Sequence, residues 1–272
     1  MDGLNFDLLN RVKTVENFCE IHQLNMVQFS EELEPFCTAC AKEKLEQRNN
    51  QLTQRKTDNY HKRSTYGWLN GLSLLADETL KEATFDTYEV DEEETVMNKR
   101  RARYIAKDYL DGKVFNTIMS GTPGTGKSHL SMSILQAVNE NSSPYRRCLF
   151  VSVDELMRRI KDSFSNKQAD YTEQDLIERL GKADLLVLDD LGAETGAISS
   201  DRAATDFTTR TLYAVINARM NKPTIITTNL TSSELQRMYD RKLLSRMYQG
   251  AKAANSILTF KNTKDKRSEI VF

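Results

Sequence analysis

The chain has 272 residues, with 38 Lys and Arg against 39 Asp and Glu, for a formal net charge of −1. That length holds a full α/β domain plus a small appendage, and near-neutrality excludes binding to nucleic acid through bulk charge, so any basic surface is local. No apolar run approaches a membrane span, and Met1-Asp-Gly-Leu-Asn has no basic region ahead of an apolar core. A soluble, cytoplasmic protein without a signal peptide is expected.

Residues 1–45 read as one unit carrying three of the four cysteines and one histidine. Cys19-Glu-Ile-His22 and Cys37-Thr-Ala-Cys40 are two pairs of equal spacing. In a reducing compartment such clustering points to metal rather than disulfides. Three thiolates and one imidazole match a closed tetrahedral Zn²⁺ site, each pair held on a tight turn. With all four positions filled by protein, the metal is structural. A unit this small has little core and would draw much of its stability from the metal. Unrelated free cysteines are the alternative.

Residues 46–83 read as a polar or helical linker. Its first part, 46–66, is almost wholly polar and lacks glycine and proline, which suits a solvated helix or a semi-flexible tether. Trp68, Leu69, Leu72, Leu74 and Leu75 then form an apolar patch where the linker docks on the main domain, residues 84–272.

The main domain opens with a helix over 92–110, acidic at its start (Asp91 to Glu94) as the helix dipole favours. This helix carries the densest basic run, Lys99-Arg-Arg-Ala-Arg103, read as a solvated face in preference to a nucleic-acid patch. A strand over 114–120 and a helix over 127–140 follow. Next come a strand at 148–153, helices at 154–165 and 173–181, and an apolar strand at 185–188. A helix at 201–219, a strand at 224–228, short helices at 232–239 and 242–249, and a strand at 256–260 complete the pattern. Strands alternating with helices mean a parallel sheet covered on both faces. Cys148 starts a buried strand and reads as core.

The chemistry concentrates in Gly121-Thr122-Pro123-Gly124-Thr125-Gly126-Lys127-Ser128, followed by His129. A strand running into Gly-x-x-x-x-Gly-Lys-Ser and then a helix is a phosphate-binding device. Its glycines let backbone N–H groups curl around phosphates, and the helix points its positive end at them. Lys127 would bridge the β- and γ-phosphates and the Ser128 hydroxyl would hold Mg²⁺. A glycine-rich turn with an incidental lysine does not account for the flanking strand and helix. A nucleoside triphosphate, ATP, is the expected ligand.

Ligands of open α/β sheets sit beyond the carboxyl ends of the strands. Asp189 and Asp190 end the strand at 185–188. Asp189 would hold Mg²⁺ directly or through water, opposite Ser128, and Asp190 would orient the attacking water. Asn229, closing the strand at 224–228, can hold that water or the γ-phosphate. Arg246, on a later short helix, offers a permanent planar charge; from spacing alone a solvated arginine is the better reading.

Loop, Asp189-Asp190, Asn229 and Arg246 in this order resemble an AAA+ ATPase, a P-loop parallel sheet flanked by helices. More narrowly, residues 85–267 resemble the bacterial and phage replicative-helicase loaders of the DnaC/DnaI family. The matching pieces are Phe85-Asp-Thr-Tyr88, Ser120 to Leu130, Lys161-Asp-Ser-Phe164, Leu186 to Gly192, Thr228-Asn229 and Leu243 to Met247. The resemblance implies an arginine finger at Arg246 acting in a neighbouring subunit, hence self-association through the AAA+ domain. It also implies single-stranded DNA contacts at Lys161 and Phe164, where charge follows phosphates and the ring stacks on a base; an ordinary core position is the alternative for Phe164. The DnaI branch further implies that the zinc-bearing amino-terminal domain grips the hexameric replicative helicase. Leu4, Phe6, Leu8 and Leu9 would then face that partner or pack the small core.

Two departures stand out. Asp190 occupies a position where glutamate is common, which implies slow hydrolysis, and Glu194 nearby could share its role. No clear C-terminal lid follows Arg246, and Arg267 is a weak candidate for a nucleotide-sensing arginine. An IstB-like transposition ATPase and a nucleotide-gated binder with little hydrolysis remain as rival functions.

Overall fold

A computed structural model describes residues 12–165, 171–193 and 205–266. The expectations at Leu4, Phe6, Leu8, Leu9, Glu194 and Arg267 lie outside those residues. By packing, the chain divides into two units, Met1–Tyr60 and His61–Phe272.

In the first unit, β1 (Lys13–Cys19) and β2 (Leu24–Gln28) form an antiparallel hairpin that pairs Cys19 with Leu24. Gln23 takes a left-handed φ of 54° and its N–H returns to Cys19 O at 2.9 Å, which closes the turn. Phe36 bridges to Val27 and its ring stacks on Phe29 at 5.4 Å. The helix α1 (Thr38–His61) follows, and none of its residues is buried. The polar run expected as helix or tether is therefore mostly a solvated helix. Among the described residues of this unit only Cys19 and Cys37 are buried, so those residues form no apolar core among themselves.

The second unit is built on a five-stranded parallel sheet in the order β4-β5-β6-β3-β7. The strands are β3 (Thr117–Gly121), β4 (Cys148–Ser152), β5 (Leu185–Leu191), β6 (Thr224–Thr228) and β7 (Ile257–Phe260). Consecutive side chains point to opposite faces, and both faces are covered. Ile118, Leu149, Val151, Leu186, Leu188 and Ile226 pack in one cluster, while Met119, Cys148, Phe150, Leu185, Val187 and Ile225 pack in the other. The first face is covered by α5 (Val153–Ser165), α6 (Glu173–Lys182), α7 (Asp206–Asn217), α8 (Ser232–Met238) and α9 (Arg241–Met247). The second carries α3 (Glu93–Leu110) and α4 (Lys127–Asn141). Two-sided burial is why these strands read as near-continuous apolar runs. Cys148 is fully buried in β4, as expected, and burial pushes its thiol up to about 12.

The apolar patch at 68–75 includes α2 (Trp68–Leu72) and packs into this unit. Leu74 pairs with the outer edge of β4: its N–H donates to Phe150 O and its carbonyl accepts from Ser152 N–H, both at 2.8 Å. That pairing covers an edge of the sheet.

Three boundaries differ from expectation. The strand at 114–120 begins only at Thr117, because Asn116 is diverted: its side-chain amide donates to Arg246 O and Met247 O and accepts from Thr224 N–H. The strand expected to stop at 188 continues to Leu191 and takes both aspartates into the sheet. Of the helix at 201–219, the described part is Asp206–Asn217.

Candidate nucleotide and metal sites

The end of β3 runs directly into the loop, and α4 begins at Lys127. Gly124 and Gly126 adopt φ of 75° and 87°, open to glycine at no steric cost. A Cβ at Gly126 would also stand 2.7 Å from the Tyr88 ring. Loop and helix residues Pro123 to His129 line a cleft of about 500 Å³. Gly121 and Thr122 do not line it. Their carbonyls instead accept hydrogen bonds from the Lys127 ammonium at 2.8 and 2.6 Å, so they seat the buried cation at the base of the loop. His129 Nε2 lies 3.0 Å from Thr84 O and 3.1 Å from Thr87 Oγ1, tying the segment ahead of α3 to the loop helix. Burial keeps its pKa below the usual imidazole range.

The opposite side of the cleft comes from the ends of β5 and β6. Leu188 pairs with Ile226 and Leu191 with Thr228, so β5 uses one more residue than β6 between those pairs. Asp190 absorbs it with a left-handed φ of 59°, a bulge that re-aims its side chain. Its N–H donates to Thr227 Oγ1 at 2.8 Å, and that hydroxyl donates to Asp189 Oδ1 at 2.6 Å. Asn229 Nδ2 donates to Asp190 Oδ1 at 2.5 Å. Ser128 neighbours the Asp189 carboxyl and favours its charged form, but burial dominates and pushes it up to about 6.

This donor set fits a nucleoside triphosphate with Mg²⁺. A buried lysine sits at the phosphate loop, and a dehydrated carboxylate touches a hydroxyl on the loop helix, a pair of hard oxygen donors. The buried Tyr88 hydroxyl has no hydrogen-bond partner among the described residues. Asp189, Asp190, Thr227 and Asn229 line the same cleft as the loop.

Arg246 does not line the cleft. It lies half-buried on α9, its guanidinium 4.4 Å from the Tyr213 ring centroid, with Nη1 buried and without a hydrogen-bond partner among the described residues. Lys161 and Phe164 share one face of α5 and are exposed, so Phe164 is not a core position; its ring meets Phe207 edge-on at 5.8 Å.

In the first unit, Cys19, His22, Cys37 and Cys40 bring their ligand atoms within 4.8 Å of one another. His22 Nδ1 is 3.2 Å from Cys40 Sγ and 3.8 Å from Cys19 and Cys37 Sγ, and the Cys19 and Cys40 sulfurs are 3.7 Å apart. Zn–S bonds of about 2.3 Å make tetrahedron edges of about 3.8 Å, so these spacings fit Zn²⁺. The first pair sits on the hairpin turn as expected. The second does not sit on a tight turn: Cys37 precedes α1 and Cys40 lies in its first turn, the helical rise bringing both sulfurs to one side. One turn further, Glu43 Oε1 lies 3.0 Å from His22 Nε2 and raises the imidazole pKa to about 9. That contact orients Nδ1 toward the sulfurs, the usual role of a carboxylate behind a ligating histidine.

Sequence reasoning did not find Thr227, Tyr88, Glu43 or Lys266. Thr227 stands next to residues that were singled out, but only the bulge reveals its link to both aspartates. Tyr88 belongs to a motif whose role no spacing discloses. Lys266 lines the cleft from 139 positions beyond Lys127.

A parallel sheet with a phosphate loop at the end of β3, acids at the end of β5 and a polar residue at the end of β6 defines an ATP-binding core of the AAA+ type. Residues 20–251 match the model of the IstB-like ATP binding protein family, and the chain belongs to that family. The chain is 28% identical over 189 residues to the replicative helicase loader DnaC of Escherichia coli (strain K12), covering 69% of this chain and 70% of DnaC. It is 30% identical over 157 residues to an insertion sequence ATP-binding protein of Sinorhizobium fredii, covering 57% of this chain and 48% of that protein. The crystal structure of DnaI superposes with a TM-score of 0.51 at 20% identity, over 70% of this chain and 95% of DnaI, a likeness of fold. The resemblance read from the motifs is therefore borne out. No helix among the described residues is long and apolar enough to cross a membrane.

Proposed function

We propose that the chain is an ATP-dependent loader that binds a hexameric replicative DNA helicase and helps place it on single-stranded DNA. The observation that carries the reading is the cleft in which Lys127 and the Ser128–Asp189 pair face Asp190 and Asn229. The likeness to DnaC over 69% of the chain supports the choice of partner.

The loop N–H groups and Lys127 hold the triphosphate, and Ser128 with Asp189 holds Mg²⁺. When bound, Mg²⁺ neutralises charge developing on the β- and γ-phosphates. Asp190 accepts a proton from the attacking water while Asn229 fixes its carboxylate. Aspartate is one methylene shorter than glutamate, and one Asp190 oxygen is already engaged by Asn229, so turnover is slow until DNA or partner repositions the acid. Arg246, stacked on Tyr213, supplies the last positive charge to a neighbouring copy, which couples assembly to hydrolysis. Exposed Lys161 and Phe164 contact single-stranded DNA, and the zinc-held first unit grips the helicase.

The direct test is ATP turnover with and without single-stranded DNA. Stimulated hydrolysis that disappears in Lys127→Ala is expected. Binding without turnover in any condition would favour a nucleotide-gated binder. The insertion-sequence relative keeps a transposition ATPase as the second reading; stimulation by duplex but not single-stranded DNA would support it.

A further inference from the structure

The cleft has a wall that the phosphate loop does not explain. It is made by Thr87-Tyr88-Glu89, ahead of α3, and by Lys266, after β7. The segment carrying Lys266 is seated on the loop itself. Lys266 N–H donates to Gly124 O at 3.1 Å. Asp265 Oδ1 lies 1.6 Å from where a Cβ on Gly124 would stand, so a side chain there would displace the Asp265 carboxylate.

The Lys266 side chain is held by three contacts. Its ammonium donates to Glu89 O, lies 3.3 Å from Asp91 Oδ1, and stands 4.9 Å from the Tyr88 ring centroid. Tyr88 in turn packs against Gly126 and meets His129 edge-on at 5.4 Å. Only 3% of Tyr88 is exposed, and its buried hydroxyl has no hydrogen-bond partner among the described residues. Buried hydroxyls are nearly always paired, and a persistent exception points to a ligand or another missing partner. A cation and an unpaired donor therefore adjoin the phosphate loop, both supplied by segments outside it.

We propose that Lys266 and Tyr88 are nucleotide-binding residues. Lys266 acts as a cation in cis on the phosphates of a nucleoside di- or triphosphate, and the Tyr88 hydroxyl donates a hydrogen bond to the same ligand. Asp91 and Glu89 hold the ammonium in reach, and on binding it exchanges part of that pairing for phosphate oxygens, a charge-assisted contact. Because the same segment is bonded to Gly124, its position changes with occupancy of the loop. This assignment rests on the phosphate-loop reading of Gly121–Ser128 and extends it.

The test is nucleotide affinity measured by fluorescence with N-methylanthraniloyl ATP and ADP, and by competition with unlabelled adenosine. Lys266→Ala should weaken both nucleotides about tenfold, the worth of one charge-assisted hydrogen bond, and leave adenosine unchanged. Lys266→Arg should restore affinity. Tyr88→Phe, which keeps the ring on Gly126, should weaken ATP several-fold with an unchanged melting temperature. Should Lys266→Ala fail to fold, Lys266→Met keeps the methylene packing and serves in its place. Wild-type affinity in Lys266→Ala or Lys266→Met, or an equal loss for ATP and adenosine, would reduce Lys266 to a structural latch. Lys127→Ala is measured alongside. If it too binds like wild type, the phosphate-loop reading falls; if it loses binding and the Lys266 variants do not, only the present assignment falls.

Discussion

Asp189 shows how position sets chemistry at the level of one residue. Buried against Thr227 and Ser128, it takes up its proton at about 6 instead of 3.8. Without divalent metal, the folded protein therefore holds a proton that the unfolded chain has released between those values. Its stability falls as pH rises across that window and is flat above it. Metal binding runs the opposite way, because Mg²⁺ requires the carboxylate: Mg²⁺-dependent ATP affinity should drop as pH falls through about 6. Asp189→Asn should flatten the metal-free profile, followed by thermal melts between about pH 4 and 7. A profile that the substitution leaves unchanged would place the titration elsewhere. The loop, Asp189, Asp190 and Asn229 were legible because their residue types are contiguous or close a strand. Thr227 was not, since a threonine in an apolar strand looks like any β-branched residue until a bulge turns two aspartates onto its hydroxyl. Lys266 was invisible for a different reason: its partners Gly124, Tyr88 and Asp91 are far from it along the chain, and only the folded sheet brings them together.

At the scale of elements, most strands and helices could be read because burial on both faces of the sheet makes each strand an apolar run. The failures have local causes. The β1–β2 hairpin was missed because most of its residues are at least partly exposed, so no alternation marks it. The strand expected to stop at 188 continues because the aspartates at its end are held by side-chain hydrogen bonds to β6, against their usual preference for turns. Among the described residues, the hairpin and the start of α1 share few buried side chains, and the four candidate metal ligands join them. Cys37→Ser should release zinc, measured by elemental analysis, and abolish the cooperative melting of the first unit. A wild-type protein purified without metal and still folded there would contradict that dependence. On the other unit, Arg246 and Tyr213 join α9 to α7 through the stacked guanidinium. Arg246→Ala should bind ATP normally yet lose turnover, and mixing it with Lys127→Ala should recover part of it, since the Lys127→Ala copy can lend its arginine to the intact phosphate loop of the Arg246→Ala copy. No recovery at any mixing ratio would argue against a shared site.

For the whole molecule, the near-balance of 38 basic and 39 acidic residues offers no bulk charge for nucleic acid, so under the proposed function that contact falls to particular exposed groups such as Lys161 and Phe164. The domain that binds nucleotide and the small unit that can hold metal are distinct packing units, which suits a protein that reads nucleotide state with one part and takes hold of a partner with the other. Sequence motifs could state the class of this machine because phosphate binding leaves a contiguous signature; partner choice leaves none and rests on kinship. The most direct measurement is therefore the mass of the species formed when the full chain is mixed with a bacterial hexameric replicative helicase, by native mass spectrometry with ATP, with ADP and without nucleotide. The account predicts a defined complex whose stoichiometry depends on nucleotide and which is altered in Lys127→Ala. A helicase hexamer that stays free of the chain in every nucleotide state would contradict it.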